Sequence, residues 1–443
     1  MRAWMTLAVA LALGACGADS NVETEPSGGS SGSGGAPVTL PSSRPTCLDT
    51  TLPTGPIPSA RADVAAALSS DGRELVMFGG DEAIVVCGDT PKREHVGDTW
   101  ILDVGCGAWT NLAVTGPSPR ARHSMVDDPS RGRALLFGGR FRASGKTGNY
   151  TLFNDVWSFD RSTRAWMELA TTGTPPTPRA NAAMALDGDT LWVFGGTTST
   201  SALNFVPSNE LHVLDLRDNV WTKIKASGPV PSARLFHALT VDPERHKLYV
   251  AFGGDANAFL GPFFEDLHVF DIASSTWAPL PASLPAAHDF GRIKLGLALR
   301  TGDGSEAPRL HAFGGHDDVN GGDALGNRND LLTLDLGAAT EGLAWQVSIG
   351  GDVFNAPPSG QCDFPADFVT PATASVERRS AFAFAPLPSG EAFVVFGGDS
   401  DCGRLSDAFW YDTRKGTFTP IVESLPGLTC LRTGNPDCKS LCN

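Results

Sequence analysis

An arginine recurs along this 443-residue chain, once ahead of each of six double glycines. A guanidinium can hold a carboxylate, phosphate or sulfate through two parallel hydrogen bonds, so arginines gathered at one rim would suit an anionic ligand. The same arginines could instead pair with six acidic residues that recur in phase with them and hold loops together. Both interpretations stay open at this point. The six arginines are Arg61, Arg120, Arg179, Arg234, Arg292 and Arg378.

Further residues that could take part in binding or catalysis lie near these arginines. His123 and His237 each follow an arginine of the set by three residues. An imidazole there could take part in acid–base chemistry or belong to the polar lining of a central channel, and a pair of histidines favours the channel lining. Arg122, Arg140 and Arg142 are additional cations that a ligand could meet.

The segment His316-Asp317-Asp318 opens a stretch rich in Asp, Asn and Gly, which raises the question of a metal site. We retain these three residues as ligand candidates. The stretch departs from a calcium-binding loop because Gly322 interrupts the alternating ligand positions. The sequence has no Cys-x-x-Cys pair that would indicate zinc. We therefore expect neither a metal nor another cofactor.

Six apolar runs end in Phe-Gly-Gly, and their first glycines are spaced by 59, 57, 58, 61 and 83 residues. Such a period predicts stacked repeats. Each unit contains four short runs of strand length separated by turn residues, and the chain shows no helical periodicity. An acid opens each third run, and an aromatic residue follows that run. The acids are Asp98, Asp155, Glu210, Asp266, Asp330 and Asp407, and the aromatic residues are Trp109, Trp166, Trp221, Trp277, Trp345 and Phe418.

A double glycine after the second strand, a third strand ending in a turn and a spaced tryptophan resemble the kelch repeat. The resemblance covers about residues 45–425, although Phe418 replaces the sixth tryptophan. It implies an all-β, six-bladed kelch-type β-propeller with four antiparallel strands per blade around a central channel. We expect contiguous blades, with the aromatic residues wedged between neighbouring sheets. The expected blades are approximately residues 61–112, 120–169, 179–224, 234–280, 292–347 and 378–422 of a propeller spanning 46–425.

In kelch proteins, the loops that follow the double glycines emerge on the same face as the connections between blades, and that face usually binds the partner. Here these loops are unequal, and the connection at residues 346–377 carries the largest insertion. Variable loops on a rigid scaffold are common sites of binding. We therefore place the ligand candidates named above on this face.

The N-terminus predicts export. Arg2 precedes an apolar run at residues 3–13, which is too short to cross a bilayer. The following Leu13-Gly14-Ala15-Cys16 resembles a bacterial lipoprotein signal, which implies cleavage after residue 15 and acylation of Cys16. An ordinary secretory signal is the alternative. We expect a lipid-anchored protein, at the outer membrane if the host is Gram-negative, with residues 16–45 as a Gly/Ser-rich tether.

Cysteine usage agrees with an oxidising compartment. The chain has nine cysteines, and lipidation of Cys16 leaves eight, which could form four disulfides. We favour a bridge between Cys362 in the large insertion and Cys402. We further hypothesise that Cys47 pairs with Cys430, in a Cys-rich tail at residues 426–443, and thereby locks the ring.

The net charge of −15, without a Lys/Arg-rich block, argues against a nucleic-acid partner. The sequence thus predicts a monomeric, membrane-tethered binding module of the bacterial envelope for a protein, a glycan or an anionic ligand. The alternative is an exported carbohydrate-active enzyme similar to sialic-acid mutarotases. A galactose-oxidase-like copper site is not supported, since the chain has only three tyrosines.

Overall fold

The computed structural model of the chain describes most of the predicted propeller region. The described ranges are 43–51, 55–82, 94–143, 148–202, 204–258, 260–302, 306–317, 326–337, 342–351, 376–400 and 403–423.

The described residues fold into six sheets of four antiparallel strands, each built from a contiguous part of the sequence. In the third blade, a short segment pairs parallel to the outermost strand as a fifth member. The first strand of every blade contacts the first strands of both neighbouring blades, and the sixth contacts the first. The fold is therefore a closed, six-bladed β-propeller whose first strands line the central channel. The predicted fold class and the contiguous blades are confirmed.

The strands are short, mostly of four or five residues, and their bounds from the channel outwards are as follows. Blades one to three contain Ala65–Leu68, Glu74–Phe78, Thr99–Asp103 and Ala108–Leu112; Ser124–Asp128, Arg133–Phe137, Val156–Asp160 and Ala165–Glu168; and Ala183–Asp187, Thr190–Phe194, Leu211–Asp215 and Val220–Lys223. Blades four to six contain Ala238–Asp242, Lys247–Ala251, Leu267–Asp271 and Thr276–Pro279; Gly296–Arg300, Arg309–Phe313, Leu331–Asp335 and Gln346–Ile349; and Ala383–Pro386, Ala392–Ser400, Gly403–Asp412 and Thr417–Val422.

Small elements decorate the blades. Two single 3-10 turns, Pro129–Arg131 and Ala286–His288, are the helical elements among the described residues, and none of these residues forms a helix that could span a bilayer. The remaining short strands are Arg140–Phe141 with Thr151–Leu152, Arg292–Ile293 with His316–Asp317, Ala282–Ser283 with Leu343–Ala344, and Thr172–Gly173 beside the third blade.

The strand register defines two faces. In the first blade, Phe78 lies opposite Thr99, and Glu74 lies opposite Asp103 at the other end of the strands. The Phe-Gly-Gly turns and the connections between blades therefore share one end of the propeller, which we call the loop face. The tight turns between the first and second strands and between the third and fourth strands share the opposite end, the turn face.

One aromatic residue of each outer strand region packs against the phenylalanine of the preceding blade's Phe-Gly-Gly turn. The ring centroids lie 5.0 to 5.9 Å apart, and each such contact adds about 0.5–1.5 kcal/mol beyond the area it buries. The predicted wedge between sheets is thereby confirmed all round the ring. The pairs are Trp109–Phe396, Trp166–Phe78, Trp221–Phe137, Trp277–Phe194, Trp345–Phe252 and Phe418–Phe313.

The ring closes between the sixth and first blades without an exchanged strand. Arg44 strengthens this seam from the N-terminal side. Its guanidinium donates to the carbonyls of Val104 and Gly105 in the first blade and, at 2.8 Å, to the carbonyl of Pro420 in the sixth. Ile57 packs into the apolar cluster that the two blades share.

The disulfide at this seam differs from our hypothesis. Cys47 is bonded to Cys106, in the turn between the third and fourth strands of the first blade. The pairing of Cys47 with Cys430 is therefore wrong, because Arg44 already docks this segment on the first blade, beside Cys106. The proposed Cys362–Cys402 bridge, Cys430 and the predicted lipidation site Cys16 lie outside the described residues.

The double glycines are required by backbone conformation and by close packing. Gly79 has φ +63°, and a Cβ atom there would lie 2.6 Å from the carbonyl oxygen of Arg120 in the next blade. The second glycine, Gly80, donates its N–H to that same carbonyl at 2.9 Å. A side chain at Gly79 would thus both strain the turn and separate two blades.

The fourth blade departs from this register by one residue. Its second strand ends at Ala251, so Phe252 occupies the position of the first glycine with φ +60°. Gly253, not Gly254, donates to the next blade's arginine. The sequence-based alignment of Gly253-Gly254 with the other pairs was therefore one residue too late. A non-glycine residue in this conformation costs roughly 1–2 kcal/mol.

Gly79→Ala should destabilise the propeller more than Gly188→Ala. Both glycines have left-handed backbones, but a Cβ at Gly188 would meet nothing within 4 Å. We expect Gly188→Ala to lower the free energy of unfolding by about 1–2 kcal/mol from backbone strain alone. Urea unfolding should show a clearly larger loss for Gly79→Ala. Equal losses would mean that the close approach to Arg120 has no energetic weight.

Candidate functional site

Each blade contains one buried arginine that binds the start of its own third strand. Arg120 is representative: its Nη1 and Nη2 atoms lie 2.6 and 2.9 Å from the two carboxylate oxygens of Asp155, and Nη1 also donates to the carbonyl of Gly138 at 3.0 Å. We call this unit the arginine node. The six nodes are Arg61–Asp98, Arg120–Asp155, Arg179–Glu210, Arg234–Asp266, Arg292–Asp330 and Arg379–Asp407.

The sixth node corrects the sequence-based set. Arg379, not Arg378, binds Asp407 and the carbonyl of Gly397. The signal was present in the sequence, since Arg379 precedes Gly397 by 18 residues, the separation also found between Arg61 and Gly79. Two adjacent arginines made the choice ambiguous without that count.

The nodes place five of the six arginines named from the sequence inside the blades, and Arg61 among them is 1% exposed. Arg120, Arg179, Arg234 and Arg292 are all 0% exposed. Their placement favours the alternative in which arginine and acid pair within the blade and hold its loops. Burial alone would raise the pKa of Asp330, but the charge of Arg292 and a hydrogen bond from His288 outweigh it and hold the pKa at about 2.

The two histidine candidates lie between blades and not along the channel. His123 packs its ring 5.8 Å from that of Phe78 in the preceding blade, and His237 packs 5.3 Å from Phe194 in the same way. The expectation that they line the channel is therefore wrong. Their side chains occupy the gap beside the Phe-Gly-Gly turn, where Gly79 and Gly195 leave room for an imidazole edge.

A ring of six left-handed residues surrounds the loop-face end of the channel, and the sequence analysis missed it. Each member follows its node arginine by two residues and has φ between +51° and +61°. Five backbone hydrogen bonds of 2.8 to 3.1 Å join neighbouring members from blade to blade. We call this ring the mouth ring. Its members are Asp63, Arg122, Asn181, Phe236, Lys294 and Ala381.

Side chains of the mouth ring converge across the channel. Arg122 donates from Nε to Asp63 at 2.7 Å and lies 5.0 Å from the ring centroid of Phe236, two blades away. Lys294 approaches the same phenyl ring from the fifth blade, at 5.2 Å. Burial alone would raise the pKa of Asp63, but the charges of Arg122, Lys294 and Arg140 outweigh it and hold that pKa far below its usual range.

The loop of the second blade adds a cationic and aromatic cluster above the mouth ring. The guanidinium carbons of Arg140 and Arg142 lie 3.9 and 4.2 Å from the ring centroid of Tyr150. His95 of the first blade packs 5.7 Å from the same ring. Burial lowers the pKa of His95 to about 4, so its imidazole is neutral at physiological pH.

The fifth and sixth blades complete the rim with paired charges. Arg404 bridges Asp81 and Asp399 at 2.8 and 3.0 Å. In the fifth blade, Asp317 forms an ion pair with Arg328, and burial lowers the pKa of the adjacent His316 to about 4. Asp318 lies outside the described residues.

The structure thus brings five of the ligand candidates together around the channel mouth. They are Arg122, Arg140, Arg142, His316 and Asp317. Asp63, Phe236, Lys294, Tyr150 and Arg404 join them from positions that no sequence motif singled out. The recurring offset of two residues from the node arginine could have identified the mouth ring. Cations over aromatic faces beside paired carboxylates can hold a charged or aromatic group of a ligand. The described residues include no group of three His, Cys, Asp or Glu arranged for a metal ion.

Residues 81–290 match the family model of the KLHDC2/KLHL20/DRC7 Kelch-repeats domain. The propeller is of the kelch type. The chain is 31% identical over 228 residues to acyl-CoA-binding domain-containing protein 4 of Arabidopsis thaliana, a match that covers 51% of this chain and 31% of that protein. It is 28% identical over 218 residues to Kelch domain-containing protein 10 of Xenopus tropicalis, covering 48% and 50%. The human protein of that name is 26% identical over 214 residues, covering 47% and 46%. The matched region spans half or less of each relative.

The buried histidines of this kelch propeller should make its stability sensitive to acid. Burial, reinforced by Arg120 and Arg234, lowers the pKa of His123 and of His237 to about 3. An unfolded histidine titrates near 6.5, so stability is complete above that pH and falls as the pH drops from 6.5 towards 3, by up to about 1.4 kcal/mol per histidine per pH unit.

The double variant His123→Leu/His237→Leu should show a flatter dependence of the free energy of unfolding on pH between 6.5 and 4.5. Leucine fits the site, because Leu295 occupies the equivalent position in the fifth blade. His246→Asn is the control, since that side chain is 66% exposed. Unchanged pH slopes in the double variant would show that these imidazoles are not buried in the neutral form.

Proposed function

We propose that the chain is a lipid-tethered binding module that recognises a protein partner on the loop face of its propeller. The observation that carries the proposal is the convergence of charged and aromatic side chains from several blades at the channel mouth. Arg122, Phe236 and Lys294 meet there from blades two, four and five. Arg122 and Phe236 are themselves only 5% and 6% exposed, so they form a rigid floor beneath the unequal loops, and loops on such a scaffold are suited to recognition.

An apolar region beside the mouth supports a protein as the ligand. Phe205, Phe236 and Phe263 form a buried cluster under the loops of the third and fourth blades. Val206 and Leu260 lie on the outside of these loops with 56% and 70% of their surfaces exposed. A patch that combines exposed apolar side chains with neighbouring cations resembles protein-binding surfaces in composition.

The contacts of residues 44–47 indicate from which end of the propeller the proposed tether would leave. Arg44 and Cys47 attach to the turn between the third and fourth strands of the first blade, which lies on the turn face. A chain anchored through Cys16 would leave the propeller from this end. The tether would thus attach at the end opposite the loop face, and a partner could reach that face without meeting the attachment point.

Site-specific photo-crosslinking in the native host tests the proposal. A photoreactive residue is placed at Asn149 or Leu260 on the loop face, or at Asp71 or Glu244 on the turn face as controls; all four positions are exposed. We expect the loop-face positions to give one common adduct and the controls none. Fractionation of a Cys16→Ser variant, which should leave the membrane, tests the tether in the same cells.

Adducts from the turn face alone would contradict recognition through the loop face. A wild-type chain that remains in the soluble fraction would contradict the tether and leave the crosslinking result to be judged separately.

A further inference from the structure

The turn-face end of the central channel forms a cavity of about 260 Å³. All six blades contribute to its wall, through their first strands and the turns that follow. The lining is largely apolar and includes, in blade order, Leu68, Met125, Met184, Leu239, Leu297 and Ala385. We call this cavity the channel well.

The channel well is distinct from the mouth on the loop face. None of the mouth-ring residues is among the residues that line the well. At the other end of the channel, Arg122 reaches across to Phe236 and fills the opening with side chains. A ligand of the well would therefore enter from the turn face and would not compete with a partner on the loop face.

The size of the channel well suits a small apolar group. An apolar cavity of roughly 150 Å³ is large enough to bind benzene, so the well has room for a single ring or a short alkyl chain. Burial of such a group against methionine and leucine side chains is favourable because it removes apolar surface from water.

The charged side chains at the rim of the channel well determine which charged group of a ligand could lie there. The lining contains two charged side chains, Asp127 and Asp187, and both are carboxylates. Arg161 pairs with Asp127 at 2.7 Å, whereas Asp187 lies 3.9 Å from the ring of the exposed His246. An ammonium group at the rim would meet a carboxylate of opposite charge, and a fatty acid would meet one of the same charge.

We propose that the channel well binds a small aliphatic amine, with its alkyl chain among Met125, Met184 and Leu239 and its ammonium group at Asp187. This is a second site of the propeller, on the face opposite the proposed partner surface. It rests on the lining of the cavity and not on the proposed function.

Methyl NMR of the full chain with ¹³C-labelled methionine, titrated with octylamine, tests the site directly. Met125 and Met184 line the channel well, whereas Met77 is buried within the first blade and Met167 is 60% exposed on an outer strand. We expect saturable shifts of the Met125 and Met184 signals, with Met77 and Met167 unchanged. The titration is run at pH 8, because burial raises the pKa of Asp187 and raises that of Asp127 to about 6.

Two isosteric variants separate the site from general attraction of a cation to an acidic protein. Asp187→Asn should weaken octylamine binding about tenfold, the effect of losing one charged hydrogen bond. Asp189→Asn removes a neighbouring carboxylate that pairs with Arg131 outside the lining, and it should leave binding unchanged.

Octanoate should produce no saturable shift. The proposal is overturned if octylamine shifts the signals of Met77, Met125, Met167 and Met184 alike, or shifts none of these four. It is also overturned if octanoate binds as well as octylamine, or if the two variants behave identically.

Discussion

At six places around the ring, a buried arginine joins three segments of the chain. In the second blade, Arg120 binds the turn carbonyl of Gly138 and the carboxylate of Asp155, while its own carbonyl accepts the N–H of Gly80 from the first blade. The side chain of this residue thus fixes the geometry of its own blade, while its backbone carbonyl sets the distance to the neighbouring blade. Removing either partner would leave a buried group without compensation, which is far more costly than loss of an exposed ion pair.

This constraint fixes the backbone and leaves the side chains at neighbouring positions free to differ from blade to blade. The residue two places after each arginine is held in a left-handed conformation at the channel mouth, whichever side chain it carries. Asp63, Arg122 and Phe236 occupy equivalent positions and yet differ completely in chemistry. Backbone geometry is therefore repeated sixfold, while the surface offered to a ligand has no sixfold symmetry. The same contrast between a repeated backbone and differing side chains occurs at the other end of the channel, where Asp187 lies among apolar side chains.

The phase of the glycines, acids and aromatic residues was sufficient to predict the fold, because each belongs to a contact made in every blade. The wedge of Trp345 against Phe252 was predictable even though its blade is stretched. The strand register at Phe252 could not be predicted in the same way. Sequence patterns favour glycine in a left-handed turn, whereas this blade has a phenylalanine at that position. Cys47 was paired wrongly because eight cysteines leave the connectivity open, and only the docking of Arg44 brings it beside Cys106.

The candidate site was harder to predict than the fold for a physical reason. Arginines at repeated positions have the same chemical appearance whether they face a ligand or a buried carboxylate, and here Arg120 and its equivalents are buried. His123 likewise cannot be told from a channel-lining residue in the sequence. Only the packing of its ring against the preceding blade makes the difference. Cation–π contacts such as that of Arg140 with Tyr150 depend on loop conformations that no repeat dictates.

Native-state hydrogen exchange of six glycine amides tests the central claim most directly. The amides of Gly80, Gly139, Gly196, Gly253, Gly315 and Gly398 all donate to the arginine carbonyl of the next blade. If the arginine nodes hold the ring together, these amides should exchange only through global unfolding, with one common free energy equal to that from denaturant unfolding. Exchange at much lower and unequal free energies would show that the blades separate locally, and it would contradict the account.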